Sequence, residues 1–386
     1  MIILLVIRPK TEYPHSVFSR IHGGDKSCKS NVNNWYAYCV RLTKNQGEIR
    51  VKVIMLPLLC ICITLSLTAC SEPPAGQTSL STDRLTSDRV IAAQLSDDAT
   101  ISALLTRKHH LSVWDNDSKS LIHEWNESDF IEELYHISLS GDKRLLGTAG
   151  KHRVSIFDIK TGKLTVTWQV EGFDPEAVIT SLHLSHTGNE VLIGLNEGSV
   201  ISVDLISNQM SMFLVHDGPV TRIEYAAHNQ QVMSASHDGH VLFWAATTGK
   251  VIHEYSNQFR ITSVSYDEAN RKIFVADALD NQFIADSLTT QALSQLDYLE
   301  RYRYFRQALF VERGQMLITS SSKQELASWD VKTGKELAKW NITAFSAGTT
   351  VVSMAVDSSG TLWSLSSDGA LETWDIESIN ISRSGL

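Results

Sequence analysis

The sequence predicts an all-β fold in which seven similar units of four strands close into a ring. Three observations support it. From about residue 89, a short strand ending in an aromatic or aliphatic residue followed by Asp recurs every 41 to 46 residues. Similar turn sequences follow several of these strands. Alternating apolar strands lie before and after them. A repeat of this length with four strands is typical of propeller blades, so we expect a seven-bladed β-propeller.

The repeated strand ends at a turn-forming residue, which is Asp in six of its seven copies. The copies are SVWD (112–115), SIFD (155–158), ISVD (201–204), LFWA (242–245), FIAD (283–286), ASWD (327–330) and ETWD (372–375). Asp at a strand end accepts hydrogen bonds from local backbone N–H groups, so we interpret these carboxylates as structural rather than catalytic. Near-identical turns follow at 159–163, 247–250 and 331–335, where Gly supplies a positive φ.

The fourth unit carries the most complete pattern, with His216, Ser234, Asp238 and Trp244 at characteristic spacing. This unit resembles the WD40 family, and the resemblance extends over roughly residues 76–386. It implies that the four side chains form a buried tetrad, in which Asp238 orients His216, His216 bonds Ser234, and Ser234 bonds the indole of Trp244. The seventh unit keeps Ser364, Asp368 and Trp374 without the His, and the fifth lacks the Trp.

The resemblance also implies how the ring closes. WD40 rings commonly complete the last blade with a strand from the N-terminal side, and Thr78–Arg84 is our expected closing strand. The segment 380–383 is the alternative.

The N-terminal part of the chain contains a predicted targeting signal. Residues 53–68 form an apolar run, followed by LTAC (67–70) and then Ser71. This order resembles the bacterial lipobox, which implies lipidation at Cys70 and, with Ser71 next, sorting to the outer membrane. The alternative is an apolar span in which Cys70 has no role.

The resulting domain prediction has four parts. Residues 1–50 are an unstructured upstream extension from a wrong translation start, 51–69 a lipoprotein signal peptide, 70–76 a tether and 77–386 the propeller.

Charge and cysteine usage narrow the function. Residues 1–70 hold 9 Lys+Arg and 3 Asp+Glu, whereas the rest holds 25 and 40, and an acidic body disfavours nucleic-acid binding. The five cysteines all lie at or before Cys70, so the body offers no thiolate metal site or Cys nucleophile. His237 and His240 sit on a turn without further ligands at suitable spacing. We therefore predict no catalytic residue, metal or cofactor.

One basic and aromatic segment, 297–306, stands out in the acidic body. Tyr and Arg are enriched at interface hot spots, so we consider it a candidate partner-binding surface. Its candidate residues are Tyr298, Arg301, Tyr302, Arg303, Tyr304 and Arg306. The alternative is that Tyr298, Tyr302 and Phe305 pack between blades and that the Arg side chains are merely solvated. Two acidic loops, 126–133 and 171–177, carry Phe130 and Phe173 at their centres and would suit a mixed-charge protein partner.

The function expected from these observations is a monomeric interaction scaffold. It would be lipid-anchored at the outer membrane, face the periplasm and bind an envelope protein or peptide. The alternative is a propeller lyase or hydrolase that uses a central site, for which at least three polar groups must converge. A quinoprotein ranks last because its repeats differ from these.

Overall fold

The computed structural model of the protein describes residues 40–45, 48–53, 77–300 and 303–377. The chain divides into two compact units, Met1–Pro73 and Pro74–Leu386. In the first unit, β1 (Val40–Asn45) and β2 (Glu48–Val53) form an antiparallel pair. The end of the upstream extension, predicted at residue 50, lies within the range of β2, and this domain boundary stays a prediction. The limits of the signal peptide and tether stay predictions, because residues 54–76 lie outside the described part of the chain.

The second unit contains seven four-stranded antiparallel sheets, which we number as blades 1 to 7. Within a blade the strands are named a to d in order, with strand a of neighbouring blades side by side around a central channel. Blade 1 contains β4 (Val90–Leu95), β5 (Ile101–Thr106), β6 (Leu111–Asp115) and β7 (Ser120–Trp125), followed by the short 3-10 helix η1 (Glu127–Asp129). Blade 2 contains β8 (His136–Leu139), β9 (Leu145–Ala149), β10 (Arg153–Asp158) and β11 (Leu164–Gln169).

Blades 3 to 5 follow the same order. Blade 3 contains β12 (Ile179–Leu184), β13 (Glu190–Leu195), β14 (Ser199–Asp204) and β15 (Gln209–Leu214). Blade 4 contains β16 (Val220–Ala226), β17 (Gln231–Ser236), β18 (His240–Ala245) and β19 (Val251–Ser256). Blade 5 contains β20 (Ile261–Asp267), β21 (Lys272–Asp277), β22 (Gln282–Asp286) and β23 (Ala292–Gln295).

Blades 6 and 7 complete the ring. Blade 6 contains β24 (Phe305–Val311), β25 (Met316–Ser321), β26 (Glu325–Asp330) and β27 (Glu336–Asn341). Blade 7 takes β28 (Val351–Val356), β29 (Thr361–Ser366) and β30 (Ala370–Asp375) from the end of the chain and β3 (Ser81–Arg84) from its N-terminal side. All seven c strands end where the repeat analysis predicted.

The closing strand confirms the predicted topology. β3 pairs antiparallel with β30, from Ser81 opposite Thr373 to Arg84 opposite Ala370. The backbone N–H of Leu80 also donates to the carbonyl of Thr373, so pairing begins one residue before the regular strand. The alternative segment 380–383 lies outside the described residues.

Apolar packing between blades holds the ring together. Seven clusters of buried apolar residues lie one at each junction between neighbouring blades, including the junction of blade 7 with blade 1. A single blade could not bury both faces of its sheet, so each blade depends on its two neighbours. Aromatic residues at the ends of outer strands reach across these junctions. Trp125 Nε1 donates to the carbonyl of Gly162 at 3.0 Å, and the Tyr255 hydroxyl donates to that of Asp286 at 3.2 Å.

The Asp residues that end the c strands have the local role expected of them. Asp158 accepts the backbone N–H and hydroxyl of Thr161, and Asp330 accepts those of Thr333. Within the described residues, no helix has the length and apolar character needed to cross a bilayer.

Candidate interaction face

One face of the ring collects two kinds of connection. Because the strands of a blade alternate in direction, the loop entering strand a lies at the same end as the turn between strands b and c. We call the first the inter-blade loop and the second the b–c turn. Together they form the loop face, and the a–b and c–d turns form the opposite face.

A side-chain tie joins the inter-blade loop to the b–c turn in every one of the seven blades. In order, the tied pairs are Asp88 with Lys108, Glu132 with His152, Phe173 with Glu197, His216 with Asp238, Asn257 with Asn281, Glu300 with Lys323, and Phe345 with Asp368. The chemistry differs between blades, from ion pairs to bonds with backbone N–H or carbonyl groups. The shared result is that each loop is fixed to the blade it enters.

Blade 4 contains the complete tetrad implied by the sequence. Trp244 Nε1 donates to Ser234 Oγ at 3.1 Å, and Ser234 Oγ lies 2.8 Å from His216 Nε2. His216 Nδ1 lies 2.9 Å from Asp238 Oδ2, and the N–H of Asp217 also donates to that carboxylate, at 3.0 Å.

Burial sets the direction of this hydrogen-bond chain. It lowers the pKa of His216, and the neighbouring Asp238 carboxylate only partly opposes that effect. His216 is therefore neutral at pH 7. Its Nδ1–H donates to the carboxylate, and its Nε2 accepts the proton of Ser234. A histidine with both ring nitrogens engaged serves the structure, as the tetrad interpretation requires.

Blade 7 lacks the histidine, and its inter-blade loop is held by a different set of hydrogen bonds. Trp374 Nε1 still donates to Ser364 Oγ, at 2.9 Å. Asp368 instead accepts the backbone N–H groups of Phe345 and Ser346, at 2.8 and 2.9 Å, and the hydroxyl of Thr349. Burial would raise the pKa of Asp368, but these hydroxyl and N–H donors hold it below its usual value. The loop is thereby clamped by an ionised carboxylate.

Blade 3 has the same clamp with Glu. Glu197 accepts the N–H of Phe173 at 2.7 Å and that of Asp174 at 2.5 Å. A Cβ on the adjacent Gly172 would lie 2.4 Å from the Glu197 carboxylate, so only glycine allows this approach. In both clamped loops the phenylalanine side chain remains outside: Phe173 is 60% exposed and Phe345 47%.

The sequence contains a signal for these clamps that the repeat analysis did not use. Glu197, Asp238 and Asp368 each stand two positions before strand c and directly before a glycine. From the sequence, Asp368 is predicted only as a member of an incomplete tetrad. An acidic residue before Gly at this position therefore predicts a tied loop whether or not the histidine is present.

The basic segment 297–306 lies partly in the interior. Arg303 is 3% exposed and contacts the carboxylates of Glu325 and Glu336. Its guanidinium lies 4.9 Å from the ring centre of Trp329. An interior arginine is not available to a partner, so the placement corrects the assignment of Arg303 to a docking surface. It also differs from the alternative, in which the Arg side chains are solvated.

The other residues of this segment have varied positions. Tyr298 is half-buried, donates its hydroxyl to Gln282 Oε1 at 2.7 Å and packs edge-on against Phe305. Tyr304 is half-buried and Arg306 is exposed. Arg301 and Tyr302 lie outside the described residues. Docking by the accessible members of the segment stays a prediction.

The central channel carries polar side chains from the inner strands. Arg222 donates from Nη2 to the carbonyl of Arg306 and to Gln307 Oε1, both at 3.1 Å. Burial raises the pKa of Glu224 to about 7, although Arg222 partly offsets it. Among residues 77–300 and 303–377, no group of three His, Cys, Asp or Glu side chains is placed to hold a metal ion. His240 pairs with Glu254 at 2.8 Å, while His237 is exposed.

These features define a seven-bladed propeller of the WD40 type. Its sequence is distantly similar to Retinoblastoma-binding protein 5 homolog of Drosophila melanogaster, with 23% identity over 167 residues, 43% of this chain and 34% of the relative. It is also similar to Pre-mRNA-processing factor 19 homolog 2 of Arabidopsis thaliana, with 22% identity over 218 residues, 54% of this chain and 40% of the relative. The chain thus matches less than half the length of either relative. No protein-family model matches the sequence.

The tetrad allows a matched test of its contribution to stability. Replacement Ser234→Ala removes the partner of both His216 and Trp244, whereas Ser364→Ala removes only that of Trp374. We expect Ser234→Ala to lower the free energy of unfolding by roughly 3 kcal/mol and Ser364→Ala by about 1 kcal/mol, because each buried partner left unsatisfied adds its desolvation cost. Urea denaturation followed by tryptophan fluorescence measures both, and equal losses would contradict the tetrad account.

Proposed function

We propose that the protein is an interaction scaffold of the bacterial envelope, held at the outer membrane by a lipid on Cys70 and docking protein partners on the loop face. The lipobox-like sequence LTAC (67–70) supports the anchor. Cys70 lies outside the described residues, so the lipid anchor is supported by the sequence alone.

The observation that carries the docking role is the tied loop face. A loop that is flexible in the free protein must be ordered when a partner binds, and this ordering weakens binding. Here each loop is already fixed to its b–c turn, and four loops display exposed apolar side chains: Ile131, Phe173, Leu299 and Phe345. Apolar side chains presented on ordered backbone are the kind of anchor that dominates interface energetics.

The comparison with known proteins agrees in kind. One relative is, by its name, a homologue of a protein that binds another protein. The similarity is distant and covers part of each chain, so the particular partner does not transfer.

The alternative function is an enzyme that uses the central channel, where burial raises the pKa of Glu224 to about 7. The described residues hold no group of three His, Cys, Asp or Glu side chains placed for a metal ion beside it. On the loop face, three carboxylates accept backbone N–H groups of the loops that they hold: Glu197, Asp238 and Asp368. A carboxylate that accepts two or more backbone or hydroxyl hydrogen bonds is a poor general base, since those donors stabilise its ionised form.

The anchor is tested by metabolic labelling with radioactive palmitate in a bacterial host. We expect wild type to be labelled and membrane-bound, and Cys70→Ser to lose the label. Cys62→Ser is the matched control, because it removes a nearby cysteine of the same apolar run and should keep the label. Equal labelling of Cys70→Ser and wild type would reject the anchor.

The docking role is tested by photo-crosslinking in intact cells. A photoreactive amino acid is placed at Phe173, Leu299 or Phe345 on the loop face, and at Ile206 as a control. Ile206 is also highly exposed, at 73%, but lies on a c–d turn of the opposite face. We expect discrete protein adducts from at least one loop-face position and none from Ile206. Adducts from Ile206 alone would contradict docking on this face.

A further inference from the structure

The entrances to blades 2 and 3 form an acidic sector of the loop face. We define this acidic sector as the loops 126–135 and 170–178 with the b–c turns 150–152 and 196–198. It holds one Lys or Arg, Lys151. Its exposed carboxylates are Glu127, Asp129, Glu133, Glu171, Asp174 and Glu176.

The two loops of the sector are physically connected. Glu132 accepts the backbone N–H of His152 at 3.2 Å. The carbonyl of His152 accepts the N–H of Val170 at 2.7 Å, just before the second loop. The carboxylates therefore belong to one continuous surface rather than to two independent loops.

Two large apolar side chains stand among these carboxylates. Ile131 is 69% exposed and Phe173 is 60% exposed. Phe130 next to Ile131 instead packs edge-on against Phe157, with ring centres 5.9 Å apart. Each loop thus directs one apolar side chain inward, the half-buried Phe130 in the first and the buried Ala177 in the second, and leaves another exposed.

The second loop is fixed by hydrogen bonds from the b–c turn and by hydrogen bonds within the loop itself. Glu197 holds the N–H groups of Phe173 and Asp174. Asp174 in turn accepts the N–H of Glu176 at 2.9 Å, and its carbonyl accepts that of Ala177 at 2.9 Å. These bonds fix the backbone from which the Phe173 side chain projects.

The equivalent phenylalanine of blade 7 has a different environment. The guanidinium of Arg84 lies 4.3 Å from the ring centre of Phe345, so that ring already has a cationic partner within the chain. Among the described residues, no such cation–π contact is found at Phe173. The face of the exposed Phe173 ring can therefore accept an external cation.

We propose that the acidic sector binds an extended protein segment in which Lys or Arg alternates with apolar residues, with Phe173 as its main anchor. This inference rests on the proposed function and names the chemistry of the partner. The cations pair with the exposed carboxylates and stack on the Phe173 ring, while the apolar side chains cover Phe173 and Ile131. Because the acidic sector carries many carboxylates and one Lys, electrostatic repulsion excludes acidic partners from this surface.

The test uses a fluorescein-labelled synthetic peptide of about a dozen residues that alternates Lys with Leu and Phe, and the full chain in detergent. Binding is followed by fluorescence anisotropy at low and high salt. We expect the peptide to bind, and Phe173→Ala to weaken binding about tenfold, in keeping with loss of a central anchor. Ile206→Ala, which removes an exposed apolar side chain of the opposite face, is the matched control and should change affinity less than about twofold.

A second pair of variants isolates the charge. Glu171→Gln with Glu176→Gln removes two exposed carboxylates of the sector, and Asp97→Asn with Asp117→Asn removes two exposed carboxylates of the opposite face. We expect the first pair to weaken binding several-fold at low salt and much less at high salt, since salt screens exposed charges. The second pair should leave binding unchanged.

Three results would overturn the proposal. The first is equal binding of a peptide with Glu in place of Lys, and the second is an equal effect of Phe173→Ala and Ile206→Ala. The third is self-association of the chain that Phe173→Ala abolishes, because it would assign the sector to a second copy. If the peptide test rejects the acidic sector but Leu299 or Phe345 still gives protein adducts in cells, the proposed scaffold function is retained.

Discussion

A carboxylate that accepts backbone N–H groups of a loop is the interaction on which the loop face depends. Glu197 and Asp368 each hold two consecutive N–H groups, and Asp238 holds one together with His216. Hydrogen bonds to an ionised acceptor are stronger than those between neutral groups, and here they satisfy loop N–H groups that have no partner in regular secondary structure. The tie converts a connection between blades into an ordered element with a defined outward side.

The ring supplies the frame that makes these ties useful. A loop is fixed relative to its neighbours only if the blades themselves are fixed, and that is achieved by the apolar cluster at each blade junction. The ring is closed by β3, which pairs with β30 and brings the N-terminal side of the propeller into blade 7. Packing and closure therefore determine where the loops stand, and the ties determine what each loop presents.

Much of the fold could be predicted because its signals are local and repeated. The strand ends, the tight turns and the tetrad of His216, Ser234, Asp238 and Trp244 all fall at regular spacing within one unit. Closure by an N-terminal strand followed from the resemblance to a family rather than from the residues.

The role of segment 297–306 could not be predicted in the same way. Arg303 is adjacent to tyrosines in sequence, which is typical of an exposed interface. Its true partners, Glu325 and Glu336, come from strands more than twenty residues away, and its burial depends on Trp329 of the same blade. Likewise, nothing in the acidic loop 171–177 indicates that Phe173 stays exposed, because the cause is Glu197 in the following turn.

Hydrogen exchange of the free protein, resolved to single amides, tests the central claim most directly. If the loop face is ordered before any partner binds, the amides of Phe173, Asp174, Phe345 and Ser346 exchange far more slowly than in an unstructured peptide, although their loops lie at the surface. Glu197→Gln then releases the first two amides and leaves the other two protected. Exchange of all four at the rate of an unstructured chain in wild type would contradict the account.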